Sequence, residues 1–372
     1  MRKAWRPDCS REPGALVKIY APLVLLSLAS FTLSIGAAEL LVRAFFPPAD
    51  FEGDRQLARR FHPHQRFHQH SPHGEFDLRH RYNSQGMHDR EHERKKAPGV
   101  RRVLVIGDSF VEAAHVRLEE TFASRLEARL ASRTPTEVIN AGRSGFGCAE
   151  EYLVLRHFGI EREPDLVVQA FFVNDLWDDD ASASEIEWDE AGIPIRMRGR
   201  RSELLRLLHD RLLRIGWRKT PHADMPALLR GVVRDQFMTE PYWQRSLRML
   251  EAADALAREH GAAYMLVLVP VQEQVETLRA RRSGGPDPDI WITDALQRRL
   301  VAWGDAQGIL VLDLLDAFIA YPVDETYYVM DGHWNPRGHE LAATAIADVV
   351  EQQPWFASWL RGSTPGPTAQ RR

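Results

Sequence analysis

The stretch Arg101-Arg102-Val103-Leu104-Val105-Ile106-Gly107-Asp108-Ser109 constrains the chain more than any other, because an apolar run stops abruptly and delivers a hydroxyl. Val103 to Ile106 is apolar without alternation, the pattern of a parallel strand buried on both faces of a sheet. In open α/β sheets, ligands bind outside the carboxyl ends of such strands. A serine placed there serves as the nucleophile of acyl transfer if the chain also supplies a histidine, an orienting acid and oxyanion donors. Read by itself, Gly-Asp-Ser is more readily a plain turn, so the rest of the chain decides.

From Arg101 onward the sequence alternates strand and helix, the signature of a mostly parallel sheet covered by helices on both faces, a three-layer α/β/α domain of flavodoxin-like type. Phe122, Leu126 and Leu130 recur at helical spacing; Val138-Ile139 is a short strand ending in Asn140-Ala141-Gly142-Arg143-Ser144-Gly145. A helix over Tyr152, Leu153, Leu155 and Phe158 precedes a strand over 165–172 that ends in Val173-Asn174-Asp175. Leu247 to Arg258 is a helix, Tyr264 to Val269 a buried strand, Ile290 to Trp303 a helical stretch and Ile309 to Leu315 the last strand. Asp331-Gly332-His333-Trp334-Asn335-Pro336 precedes a closing helix from Gly338 to Val350, and residues 356–372 read as a disordered tail.

The start of the chain has a different character. Ile19 to Ala38 is a run of twenty residues without a charge, enough at roughly 1.5 Å per residue to span the ~30 Å hydrocarbon core as a helix. The apolar pattern continues to Phe46, which gives an anchor over 19–46 behind a basic N-terminus over 1–18. Arg2, Lys3, Arg6, Arg11 and Lys18 predict a cytoplasmic N-terminus and a catalytic domain on the extracytoplasmic, periplasmic side. The rival is a cleaved signal peptide, with Gly36-Ala37-Ala38 as the peptidase site; the stretch exceeds the usual h-region of about 7–15 residues, which favours the anchor.

Residues 47–99 are polar and crowded with His62, His64, His68, His70, His73, His80, His88 and His92. Their irregular spacing matches no metal-binding pattern, and the segment reads as a solvated linker with a turn at Asn83-Ser84-Gln85-Gly86. Residues 177–240 interrupt the α/β alternation of the domain, which spans 100–355. Within this insertion Leu204, Leu205, Leu208, Leu212 and Ile215 share one helical face among many arginines, suiting either a lid over the site or a helix on a membrane surface.

A net charge of −4, with no zinc-finger or RNA-binding signature, sets nucleic acid aside as a partner. The two cysteines, Cys9 and Cys148, form neither a disulfide framework nor a zinc cluster, and the chemistry expected below needs no metal or other cofactor.

Four strand ends or loops each offer one group that acyl transfer needs. Ser109 attacks an ester carbonyl, His333 takes its proton and returns it to the leaving alcohol, and Asp331 holds the imidazole tautomer. The backbone N–H groups of Ser109 and Gly145 and the side-chain amide of Asn174 serve as oxyanion donors, each worth roughly 3 kcal/mol. Separately, Gly145 reads as a turn, Asn174-Asp175 as a helix cap and His333 as a packed ring beside Trp334.

In the order Ser, Gly, Asn, His at successive strand ends, these residues resemble the SGNH hydrolase superfamily, the GDSL-like esterases and lipases. The matching blocks are Gly107-Asp108-Ser109-Phe110, Asn140 to Gly145, Asn174-Asp175, and Asp331-Gly332-His333 with Gly338 five residues on, so the likeness covers about residues 100–350. Two positions depart. Phe172 stands where the family has glycine two places before the asparagine, and Asp331-Gly332-His333-Trp334 replaces the usual Asp-x-x-His. That shorter spacing is similar to the Asp-x-His-Trp of polysaccharide O-acetyltransferases. Asn83 to Arg90 and Pro270 to Val275 resemble membrane-anchored bacterial relatives, in which arginine is common at the position of His88. The resemblance implies a serine esterase acting on an acyl or acetyl ester of a carbohydrate or lipid. Its alternatives are an O-acyltransferase modifying an exported polysaccharide and a non-catalytic envelope binding or assembly protein.

Overall fold

A computed structural model describes residues 13–45, 52–54, 58–60, 62–198, 204, 205, 207, 208, 241–285 and 292–361. The chain forms two compact units, Met1–Ala49 with Arg200–Thr220, and Asp50–Gly199 with Pro221–Arg372.

In the first unit, helix α1 (Pro13–Phe45) includes Tyr20–Phe45, whose mean hydropathy of 1.8 and 26 residues make it long and apolar enough to cross a membrane. Glu39 pairs with Arg43 one turn on and accepts a hydrogen bond from the Leu204 amide, at 2.9 Å. Leu205 and Leu208 are exposed; Leu212 and Ile215, the rest of the expected apolar stripe, lie outside the described residues.

The second unit is built on five parallel strands, β1 (Arg101–Ile106), β2 (Thr136–Asn140), β3 (Leu166–Phe171), β4 (Ala263–Leu268) and β5 (Leu310–Asp313), in the spatial order β5-β4-β3-β1-β2. Every residue of β1, β3 and β4 is buried, which explains their unalternated apolar sequences: helices cover both faces. On the helical layers α2 (Ser109–Glu112) follows β1 directly, and α3 (Phe122–Ala131), α4 (Cys148–Val154), α5 (Asp175–Ser182), α6 (Pro241–Glu259), α7 (Gln272–Arg282), α8 (Ala295–Gln307), α9 (Pro336–Gln352) and α10 (Pro354–Leu360) follow, with two short helical turns, Leu315–Ile319 and Val323–Thr326, between α8 and α9. Helix α3 packs on α9, while α4, α5 and α6 pack together. The strand order reverses between β1 and β3: the chain runs outward one way to β2 and the other way through β4 to β5. Such a switch point opens a crevice at the carboxyl ends of the two central strands, and Ser109 and Asn174 follow those two ends.

Two expected boundaries move. Much of the segment 47–99, read as a solvated linker, is folded onto the second unit. Arg66–His70 and Asp77–Arg81 form an antiparallel hairpin, and Tyr82, Asn83, Met87, His88 and Asp89 are buried. Two of its eight histidines are buried, and burial lowers the pKa of both: His80 Nε2 bonds Ala114 O and His88 Nδ1 bonds Glu112 O, each at 2.8 Å, while His62, His64, His68, His70 and His73 stay exposed. The expected turn is present, with Asn83 Oδ1 accepting from the Gln85 and Met87 amides. The tail also begins later than position 356, because Pro354 opens α10 and Phe356 and Trp359 are buried. The insertion starts as α5 and an antiparallel pair, Ile186–Trp188 with Pro194–Met197, and its residues 209–240 lie outside the described residues.

Candidate active site

At the end of β1 the backbone makes an abrupt turn. A side chain on Gly107 would put its Cβ 2.3 Å from Val111 Cγ2 and 3.1 Å from the Ala170 carbonyl, so only glycine passes there. Asp108 is buried and caps α2, accepting from the Phe110 amide at 3.0 Å; burial pushes its carboxyl above the usual range. Ser109 is the first residue of α2, where a backbone N–H has no helical acceptor and points outward.

The loop after β2 is drawn against this turn by three bonds. The Arg143 amide donates to Gly107 O at 2.9 Å, Asn140 Nδ2 to Val111 O at 2.7 Å, and the Ser144 amide to Glu112 Oε2 at 2.6 Å. A Cβ on Gly142 would meet Val111 at 2.4 Å, so glycine allows this approach. Gly145 follows in a left-handed conformation, φ +75°, with open space beside its Cα. Glu112, fully buried, holds the arrangement from below: against the cost of burial, the Arg143 guanidinium 3.7 Å away and the Tyr82 hydroxyl at 2.6 Å keep its carboxyl below the usual range.

After β3, the Phe172 amide donates to Asp175 Oδ2 at 2.9 Å and closes the loop that carries Asn174. Phe172, the departure from the family pattern, packs its ring on Phe110 with centroids 4.6 Å apart. Asn174 Nδ2 donates to Asp178 Oδ2 at 3.0 Å and also bonds the Asp108 carboxyl, which lies 3.4 Å from Ser109 Oγ. Asp108 therefore interacts with both the β1 and the β3 loop, and the Asn174 amide is held by the Asp178 carboxylate.

The last loop is anchored by Trp334, buried among Phe110, Phe122, Phe318 and His339. Tyr327 and Trp334 pair as a β-bridge, the Gly332 amide donates to Tyr328 O at 2.7 Å, and Gly332 sits at φ +89°. This tight return lets Asp331 and His333 face each other despite their two-residue spacing. Asn335 then caps α9, accepting from the Arg337 and Gly338 amides. A Cβ on Gly338 would lie 2.3 Å from the Thr326 carbonyl, so that glycine too is set by close approach.

The result is a row of hydrogen bonds: His333 Nε2 to Ser109 Oγ at 2.8 Å, and His333 Nδ1 to Asp331 Oδ1 at 2.7 Å. Against partial burial, the bond from His333 and the nearby His115 and His333 rings hold the Asp331 carboxyl below the usual carboxylate range. The arrangement fits transfer of the serine proton to an imidazole whose other nitrogen is held by a carboxylate.

Two groups of ligand-type atoms lie within 4.8 Å of one another, His115, Asp331 and His333, and Cys148, Glu151 and Asp175. In the first, both His333 nitrogens are taken up by the row above. In the second, burial pushes the Cys148 thiol and the Glu151 and Asp175 carboxyls well above their usual ranges. Sequence reasoning passed over His115, Glu112, Arg143 and Tyr82; the Gly-Asp-Ser turn carries no signal for side chains that reach it from 27 residues upstream or 34 downstream.

No curated protein matches the sequence. Similar solved structures include LAE5, an α/β hydrolase from the metagenome of Lake Arreo, Spain, with 18% identity over 68% of this chain and 95% of that one, and a TM-score of 0.39. The acetylxylan esterase Axe2 from Geobacillus stearothermophilus shows 15% identity over 68% and 95%, TM-score 0.42, and TesA 17% over 68% and 98%, TM-score 0.39. The model of the GDSL-like lipase/acylhydrolase family matches residues 105–341, more than half of the chain, and runs from the strand before Ser109 to the helix after His333. The chain belongs to the GDSL-like lipase/acylhydrolase family, as an ester hydrolase of SGNH type.

Proposed function

We propose that the protein cleaves an acyl or acetyl ester of a carbohydrate or lipid through an acyl-enzyme on Ser109. The observation that carries this reading is the unbroken row Ser109 Oγ, His333 Nε2, His333 Nδ1, Asp331 Oδ1. Ser109 Oγ attacks the ester carbonyl carbon as His333 Nε2 takes its proton, and Asp331 holds the imidazole and the charge it acquires. The tetrahedral oxyanion is met by the Ser109 and Gly145 amides and by the side-chain amide of Asn174. His333 then gives its proton to the leaving alcohol as the carbon–oxygen bond breaks. Water attacks the acyl-serine by the same proton path, releasing the acid and restoring Ser109. Helix α1 holds the domain at a membrane, on its extracytoplasmic side.

The Asp331-Gly332-His333-Trp334 order favours a second reading, in which a glycan hydroxyl takes the place of water and the protein is an O-acyltransferase. Both share every step up to the acyl-enzyme. Turnover of an aryl acetate with and without an added oligosaccharide separates them. Free acetate at the same rate in both supports hydrolysis; acetylated sugar at the expense of free acetate supports transfer. Absence of Ser109-dependent turnover in either overturns the enzyme reading.

A further inference from the structure

The imidazole of His333 does not stand free between Ser109 and Asp331. His115 lies flat against it, with ring centroids 3.8 Å apart and an interplanar angle of 16°, and Phe110 touches it at 4.9 Å. His115 is itself 6% exposed and held from two sides. The left-handed Ala113 ends α2 and turns the chain back, so that His115 returns to the triad only six residues after Ser109. The tip of the 66–81 hairpin then presses on it: Phe76 meets the His115 ring edge-on at 5.3 Å and also packs on Tyr328, while Glu75 Oε1 accepts from the Met330 amide in the loop that carries Asp331 and His333. His115 Nε2 stands 3.7 Å from Asp331 Oδ1, the oxygen that binds His333, a distance too long for a hydrogen bond.

We propose that His115 is a positioning residue, a neutral ring stacked on His333 and wedged by Phe76 that keeps the imidazole in line between Asp331 and Ser109. The proposal rests on the reading of His333 as the proton carrier. Its physical basis is that an imidazole hydrogen-bonded only at its two nitrogens is still free to rock about that axis. A ring in face contact removes this freedom, and loss of near-attack alignment is costly even for shifts of about 1 Å. A neutral aromatic face also tolerates the cation that forms on His333 during attack, whereas a charged His115 would repel that cation and compete for Asp331 Oδ1. The groups facing His115 are Asp331, His333, His339 and His80; burial first, and His333 next, hold its pKa well below the usual histidine value, so the ring is neutral at neutral pH.

The test compares the full-length protein in detergent with His115→Ala, His115→Phe and Phe76→Ala, using an aryl acetate and a fluorophosphonate. His115→Ala lowers kcat and the rate of Ser109 labelling by about tenfold to a hundredfold with KM changed little, and His115→Phe, which restores a flat neutral ring, recovers most of the loss. Phe76→Ala keeps both imidazoles but removes the wedge behind His115, and gives a smaller loss of the same kind. Proton NMR reads the geometry without substrate: the low-field signal of the His333 Nδ1 proton bonded to Asp331 weakens in His115→Ala and returns in His115→Phe. Wild-type kcat in His115→Ala, or equal losses in the Ala and Phe variants, overturns the proposal. If the wild type shows no Ser109-dependent labelling, the proposed function fails instead, and the NMR signal alone decides: unchanged in His115→Ala, it overturns the positioning role as well.

Discussion

Ser109 Oγ and His333 Nε2 meet at 2.8 Å although 224 positions separate them in the chain. Neither end of that bond is set locally. Ser109 is delivered by a strand in the middle of the sheet and capped by Asp108; His333 is delivered by a loop whose register depends on Trp334 being buried against Phe110, the residue next to Ser109. The aromatic contact and the hydrogen bond therefore stand or fall together.

Asp331→Asn isolates the carboxylate. The Asn side chain keeps an oxygen but offers no negative charge to the imidazolium, so kcat falls by about 10³–10⁴ on the pattern of serine triads, with the circular dichroism spectrum and melting temperature unchanged. Full activity would transfer the role to another acid, such as Asp324.

Beneath the site, Glu151 and Asp175 predict an unusual pH dependence of stability. Burial raises both carboxyls well above the ordinary range; Gln169 Nε2 donates to Glu151 Oε2 at 2.6 Å, and the Tyr264 hydroxyl donates to Gln169 Oε1 at 2.6 Å. Between the ordinary carboxylate pKa and the raised one, the native state binds more protons than the unfolded chain, so stability falls as pH rises through that window. Glu151→Gln keeps the acceptor for Gln169 and removes the titration. Thermal melts should show it stabilised at pH 8 relative to wild type, with a smaller gain at pH 5; equal changes at both pH values would contradict the assignment.

Tyr82→Phe tests whether residues 62–92 belong to the domain. It removes one hydrogen bond to the buried Glu112 carboxylate, at an expected cost of about 1–3 kcal/mol in urea unfolding. A linker residue would show no change. Because Glu112 also accepts from the Ser144 amide beside Gly145, the same variant should slow Ser109 labelling modestly.

The sheet was legible in the sequence because β1, β3 and β4 are buried on both faces and leave unbroken apolar runs bounded by Gly107, Asn174 and Pro270. The Ser109, His333 and Asp331 row was legible because each group sits at a strand end or in a short motif. The Tyr82, Asn83, His80 and His88 segment was not, since a neutral histidine bonded to a backbone carbonyl is buried as readily as an aromatic yet counts as polar in any composition reading. His115 escaped for a related reason: its contact with His333 is face to face, and no spacing rule in the sequence reports a stack between residues on different loops. The tail was drawn too early because Pro354 opens one more helix, α10, after α9 has ended, and its Phe356 and Trp359 are buried.

The central claim is that Ser109 is the nucleophile. Treatment of the protein with a fluorophosphonate, followed by peptide mass spectrometry, is the direct test. One phosphonylated residue is expected, Ser109, with labelling abolished in Ser109→Ala and strongly slowed in His333→Ala. Labelling that persists in Ser109→Ala, or a wild-type protein that takes up no label, would contradict it.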